Sequence, residues 1–546
     1  MDAPAFFSPS ISALPLAVFG PLDWGVVGLY FAAMIYIGVI AARKDQDTRE
    51  YFLAHRSMPT WAVAISIVAT SLSAATFVGV PDLAFKQNLN YLALAFSGMI
   101  AVLVVAALFV PKLYRAGTVT IYGYLNQRYG EGAMIAVSAM FLVGRMLASG
   151  ARLFIAAIPL CLLMFSKRNE ITFDPTAWQL IFAIALIGIV GTFYTAFGGI
   201  RTVIWIDVIQ FFIVAGSAGL SIYLLLKAIP IPIRDIFTAL ADPKSGPGGH
   251  SKLFLFDTSR DPAKPYTLWA AIFGNTFLYT AAFGVDQDLA QRFLVAKSVW
   301  RGALSLMWAQ LIAIFVVGAF LLIGLLLYIF YKRPDLMGGH APPSLQGSMG
   351  VYPWFLMNEL PTILSGISIA GFFAIAQGSM DSAINALASS AVADVYYPLR
   401  RRMGYADEPA RDTSVPKLAV AAMGLCMSIL GMLCVFLYDK NNRTLIDFAL
   451  GILSFAFTGM LGVFLTALLT RRGNTASVIC ALLSGVLTVV LMQPRLLPWW
   501  SGKIFHHPLT LASTWWTPIG TIVAFLVCVS GSSRRGNIPL AVFREG

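Results

Sequence analysis

Apolar runs long enough to cross a bilayer follow one another along nearly the whole of this 546-residue chain. They fall near 24–42, 60–84, 92–111, 133–165, 177–198, 202–226, 267–290, 303–331, 362–392, 418–438, 446–470, 476–493 and 511–531. In hydrocarbon each run must satisfy its own backbone, which a helix of about 20 residues does. The pattern predicts an all-α polytopic membrane protein with about 13 transmembrane helices. Composition agrees: 58% of residues are hydrophobic and 12% charged, more apolar surface than a soluble globular chain can hide. The formal charge of +12 would suggest nucleic acid in a soluble protein. Here it is a topology signal, and no nucleic-acid partner is expected.

Basic residues concentrate in every second connection. The first such connection holds Arg43, Lys44, Arg49 and Arg56, and the second Lys112, Arg115 and Arg128. Arg201 follows, then Arg292, Lys297 and Arg301, then Arg400, Arg401, Arg402, Arg411 and Lys417, and then Arg471 and Arg472. The tail adds Arg534, Arg535 and Arg544. The alternation puts the N-terminus outside and the C-terminus in the cytoplasm of a cell (inner) membrane, and an even number of spans would break it. The first run lacks a preceding basic region and a clear cleavage site, so it reads as a retained helix. Two Pro/Gly-rich loops, 228–266 and 332–353, fall on the outer face as plain connectors or partial lids. No extramembrane stretch has the size of a soluble domain, which excludes a sensor-kinase architecture. The five cysteines sit in apolar segments without metal-ligand spacing, the five histidines in loops or at interfaces. H-E-x-x-H and G-x-S-x-G are absent, so an enzyme is not expected.

The run around 367–392 carries Gln377, Ser379, Asp381, Ser382, Asn385 and Ser389. An aspartate at membrane depth costs several kcal/mol unless it faces protein or water. Ser379, Ser382 and Asn385 share one helix face, a stripe suited to a solute or ion path, or to packing through hydroxyls bonded back to the helix. The second run mixes Thr70, Ser71, Ser73 and Thr76 with Gly79 and Pro81, which would open the helix and expose carbonyls to a hard cation. The seventh run, with Gly274, Asn275 and Gly284, is another candidate for interruption. Two interrupted helices separated by four ordinary ones are what a five-plus-five inverted repeat gives; glycine-mediated close packing is the alternative. Arg145 and Arg152 share a face of the fourth run. They line water, bind a carboxylated solute or pair with Asp207 or Asp381. Asp286 and Asp288 read as solvated residues at a helix end.

The segment EYFLAHRSMPTWAVAISIVATSLSAATFVGVP resembles the first core helix of the sodium:solute symporters, the family of sodium–glucose, sodium–proline, sodium–monocarboxylate and sodium–sialic acid carriers. TAFGGIRTVIWIDVIQ, DQDLAQRFLVAKS, GSMDSAINALASSAVADVYYPL and WWTPIGTIVAFLV are similar to further blocks of that family, in matching order over residues 24–530. The resemblance implies a ten-helix inverted-repeat core made of spans two to eleven. It implies a sodium site from the carbonyls of Ala69, Leu72 and Ile375 and the hydroxyl of Ser379, with Gly378 departing from the family's usual serine. It also implies a second cation or proton site at Asp207, Asp381 and Ser382. Ser71, Ser73 and Thr76 match substrate hydroxyls of the sialic-acid carriers, which also use an arginine on the third core helix, matched here by Arg145 or Arg152. Ala95 aligns near the acidic residue of the sugar carriers.

These readings make the chain a sodium-coupled secondary active symporter importing a small polar organic solute by alternating access. The solute is expected to be an organic anion, monocarboxylate or sialic-acid-like; a sodium–sugar symporter and a proton-coupled transporter on the same fold are the alternatives. A substrate-gated channel is disfavoured, because interrupted helices meeting at midplane make a closed central site. Residues 1–57 form an N-terminal segment with the first helix and a basic loop. Residues 58–471 form the core, with repeats at about 58–227 and 267–471, and residues 472–546 add two helices and a tail. Sodium is the only metal expected, as coupling ion, with no other cofactor. The partners are the solute, sodium ions and the bilayer, and the working unit a monomer.

Overall fold

Hydrocarbon forces backbone groups to pair within their own segment, and among the described residues the chain is helical with no β-strand beyond isolated bridges. The computed structural model describes residues 20–41, 48–165, 175–338, 350–405, 414–437, 445–494 and 496–532. Residues 411 and 534–546, which carry part of the charge pattern, lie outside them, as does most of the loop at 332–353.

A helix stands at each of the expected runs. The first is α1, Pro21–Ala41. The second run is broken into α2, Thr60–Ser71, and α3, Ala74–Lys86, whose directions differ by about 63°. Next come α4, Tyr91–Ala116, and α5, Glu131–Phe165. A single element, α6, Ala177–Ala228, holds two runs and turns at Gly199, whose φ of 60° is a conformation that costs glycine nothing. The seventh run is a wide turn over Ala270–Asn275, then α7, Thr276–Gly284, and α8, Gln287–Leu294. The remainder are α9 (Val299–Lys332), α10 (Leu364–Ser390), α11 (Ser414–Leu437), α12 (Leu445–Leu469), α13 (Thr475–Leu491) and α14 (Trp516–Ser530). Among the described residues, seven helices are long and apolar enough to span alone, and the bent pair α2/α3 makes an eighth. Shorter apolar helices cover Pro21–Ile37, Ala177–Phe193, Ser454–Leu469 and Thr475–Leu491.

The polar stripe finds its explanation in where α10 sits. In its apolar stretch 94% of residues are buried, against 33–56% in the other spans, so α10 is the central post and its hydroxyls never meet lipid. Small residues let it approach α6: a Cβ at Gly371 would stand 2.8 Å from the Ser217 side chain. Its first turn is capped from another helix, since Asp23 of α1 accepts from Ile363 N, Gly366 N and Ser365 Oγ at 2.7–3.0 Å.

Two expectations need correction. The break in the second run is at Leu72–Ser73, not at Gly79 and Pro81, which lie inside continuous α3. The hydroxyls of Thr70 and Ser71 bond back to the carbonyls of Ser66 and Val68 and compete with the backbone at that point. The Pro/Gly-rich loop 228–266 is also more than a bare connector. It contains a helix at Ile233–Ala241, and Lys252 donates to the carbonyls of Ala84 and Phe85 at the C-terminal end of α3.

Candidate functional site

A helix that stops in mid-bundle leaves its last carbonyls without an intrahelical donor. At the end of α2, Leu72 turns to an extended conformation (φ −71°, ψ 145°), so the carbonyls from Ala69 to Leu72 are free to serve another partner. Thr70 Oγ1 lies 3.1 Å from Ser382 Oγ, so the broken end of α2 is held directly on α10. Ala69 precedes that contact by one residue, Ser379 by three and Ile375 by one further turn. All four residues expected to hold sodium are buried. Ser379 Oγ donates to Ala376 O, which leaves its lone pairs as acceptors.

Beside the break lies a cavity of about 130 Å³, lined by Thr70, Ser71, Ser73 and Thr76 and reached by Arg145, Arg152 and Asp286. Ala95, Tyr91, Gln310 and Phe457 complete parts of its wall. All five residues expected to meet substrate therefore line one chamber. The two arginines differ in their surroundings. Arg145 is buried and pairs with Asp286 at 2.7 Å and with Asp288. Arg152 is half-buried and has no hydrogen-bond or ion-pair partner among the described residues.

At the edge of this chamber the charges form a buried network. Arg292 is fully buried and donates to Asp288 Oδ1 and Asp207 Oδ2, each at 3.1 Å, to Ser66 Oγ at 2.9 Å and to Ser382 Oγ. Ser66 Oγ donates to the same Asp207 oxygen at 2.5 Å. Thr195 Oγ1 donates to Asp381 Oδ1 at 3.1 Å. Asp207, Asp381 and Ser382 thus come to one region, but Ser382 and one Asp207 oxygen are already engaged by Arg292.

The sequence reading missed this network. Asp286 and Asp288, read as solvated, are fully buried, and Arg292, counted among basic loop residues, lies in the interior. Arg145 pairs with them rather than with Asp207 or Asp381. The spacing of Asp288 and Arg292, four apart on a short helix with a strongly amphipathic sequence, was the available signal; tertiary placement at a broken span decided otherwise. Gln210 was missed too. It is buried on α6, three residues after Asp207, and donates to Tyr30 Oη of α1 at 3.1 Å. Among the described residues no group of three His, Cys, Asp or Glu could hold a metal ion.

A many-helix membrane protein with a central post, a broken helix beside it and a polar chamber at the break is a solute carrier by architecture. Residues 51–485 match the sodium:solute symporter family, and the chain belongs to that family. It is 26% identical over 479 residues to the sodium/sialic acid symporter SiaT of Proteus mirabilis, covering 86% of this chain and 89% of that one. It is 25% identical over 480 residues to the human sodium/iodide cotransporter, covering 86% and 69%. The solved structure of a Na+-coupled sialic acid symporter in a substrate-bound outward-open state superposes with a TM-score of 0.75 at 22% identity, over 94% of this chain and 98% of that one. The fold is therefore the five-plus-five inverted-repeat transporter fold.

Proposed function

We propose that this protein is a sodium-coupled symporter that imports a small organic anion by alternating access. The observation that carries the anion is Arg152, a guanidinium without a partner among the described residues, facing a chamber whose nearest break offers four hydroxyls. A guanidinium binds a carboxylate through two parallel bonds, and hydroxyls of Ser71, Ser73 and Thr76 suit the remaining polar groups of a small acid. A sugar has no use for that charge, and Ala95 puts a methyl group on the wall where an acid would be wanted. Two relatives are named as sialic acid symporters and others as monocarboxylate transporters, which supports the same class.

In this reading sodium takes the carbonyls of Ala69, Leu72 and Ile375 with Ser379 Oγ and closes α2 onto α10. The network of Arg145, Asp286, Asp288, Arg292 and Asp207 seals the side of the chamber toward the basic connections, which the charge alternation makes cytoplasmic. The repeats run over 58–227 and 267–471, the N-terminus is outside, and the protein works as a monomer in the cell membrane. Uptake of labelled acids into proteoliposomes under an inward sodium gradient tests it. Uptake of a carboxylated solute that collapses when choline replaces sodium and when Ser379 becomes alanine is expected. Uptake that ignores the sodium gradient and follows a pH gradient would overturn the coupling.

A further inference from the structure

The hydroxyls of Ser73 and Thr76 on the chamber wall can turn to donate or to accept, so they do not choose between a donor and an acceptor on the solute. Gln310 is different. It stands on α9, lines the same chamber and is only 3% exposed. Its Nε2 donates to Ala95 O of α4 at 2.8 Å. A carbonyl only accepts, so the amide cannot be turned over, and its oxygen is the atom left free. That Oε1 has no hydrogen-bond partner among the described residues and opens on the chamber. The backbone of α4 holds the amide in this pose. A Cβ at Gly98 would collide with it, standing 2.9 Å from Oε1, so the bare glycine is what lets the amide lie along the helix. The same turn of α4 is held by Asn275, which donates to Leu94 O at 3.3 Å and to Ser97 Oγ at 3.1 Å. The chamber thus carries one side-chain acceptor whose direction is fixed by bonds behind it.

We propose that Gln310 is a specificity residue that accepts a hydrogen bond from the solute, so that the imported acid carries a hydroxyl or an amide N–H in addition to its carboxylate. This rests on the organic-anion reading above and narrows it from acids in general to donor-bearing acids. An oxo acid would bring a second acceptor against Oε1. An unsubstituted acid would cover that oxygen with nothing to pair it, which is costly for a buried polar atom. A site built to hydrogen-bond a hydroxyl rejects the analogue lacking it far more strongly than an apolar pocket rejects a methylene. The Ser and Thr hydroxyls supply no such rejection, because they would turn and donate to the oxo group.

Melting of the purified full chain in saturating sodium, titrated with acids matched in skeleton, tests the assignment. The pairs are lactate with pyruvate, 3-hydroxybutyrate with acetoacetate and phenyllactate with phenylpyruvate, with gluconate as a hydroxyl-rich acid. In a pair that binds, the hydroxy acid is expected to bind roughly 10- to 100-fold more tightly than the oxo acid. In Gln310→Met that ratio should fall toward unity through lost affinity for the hydroxy acid, while the sodium-dependent rise without acid is unchanged. Gly98→Ala should displace the amide and lower the ratio in the same direction; should it fail to fold, Gln310→Met carries the decision. A wild type that binds both members of a pair equally, or prefers the oxo acid, overturns the assignment and leaves the anion reading standing. So does a Gln310→Met chain in which both acids weaken by the same factor, which would make Gln310 a brace for α4 alone. If gluconate alone binds, a matching drop in Gln310→Met supports the assignment and an unchanged affinity overturns it. A wild type that none of these acids stabilises removes the anion reading and this inference with it.

Discussion

Arg145 and Arg152 lie on the same face of α5, and what separates their roles is what stands opposite each. Arg152 keeps its guanidinium for the chamber, so truncating it should leave the fold and sodium binding intact and weaken only the solute. A hydrogen bond to a charged group contributes about 1.5–3 kcal/mol, roughly 10- to 150-fold in affinity. Arg152→Ala is expected to raise KM for the carboxylated solute by that factor, with the sodium-dependent rise in melting temperature unchanged. Arg152→Lys should recover part, since an ammonium keeps the charge and loses the two-pronged geometry. Arg145 behaves otherwise. Removing one partner of a buried ion pair costs about 3–5 kcal/mol because the other charge stays buried. Asp288 would still have Arg292, so the stranded group in Arg145→Leu is Asp286. Melting in detergent should show a large loss for Arg145→Leu that Asp286→Asn in the same chain largely restores, while Asp288→Asn does not. Equal rescue by both would mean the network shares its charge evenly.

Individual elements were legible to different depths. Every long apolar helix was marked by its run, because hydrocarbon leaves the chain no other way to satisfy its backbone. The hydroxyl cluster from Thr70 to Thr76 marked the broken helix and the chamber beside it, although the break itself falls at Leu72 rather than at the proline. Long-range contacts left no such trace. Asp23 reads as an ordinary acid at the start of α1, yet it caps α10, some 340 residues away in sequence. Nothing in local spacing announces that, nor that Lys252, in a loop rich in glycine and proline, ends buried against α3 and over the Tyr328 ring. The cap is a property of the element it serves. Asp23→Ala leaves three donors at the head of α10 without their acceptor, and loss of a cap costs about 0.5–2 kcal/mol. The variant should melt lower by an amount of that order, with Asp23→Asn intermediate because its side-chain oxygen still accepts. A melting temperature identical to the wild type would show that water replaces the carboxylate at that helix end.

At the scale of the whole molecule, α2 is the part that must serve two masters. Its broken end meets α10 through Thr70 and Ser382, its middle meets α6 through Ser66 and Asp207, and Leu72, whose carbonyl is expected to hold sodium, lines the chamber expected to hold the solute. An ion that draws α2 onto α10 also sets Ser71 and Ser73 on the chamber wall, so each ligand works on a geometry the other uses. Thermodynamics then leaves no freedom in the coupling: if sodium tightens solute binding by some factor, the solute tightens sodium binding by the same factor. Coupling energies of this kind usually amount to about 1–3 kcal/mol, or 5- to 150-fold. Calorimetric titration of the wild type with the identified acid, at saturating sodium and in choline, gives one ratio. Sodium titration with and without the acid gives the other, and the two are expected to agree within error. In Arg152→Ala both ratios should fall together toward unity, because the charge that links the solute to the chamber is gone. A solute ratio that falls while the sodium ratio stays high would break the linkage, and would mean that the acid and the ion meet the protein at places that do not share α2.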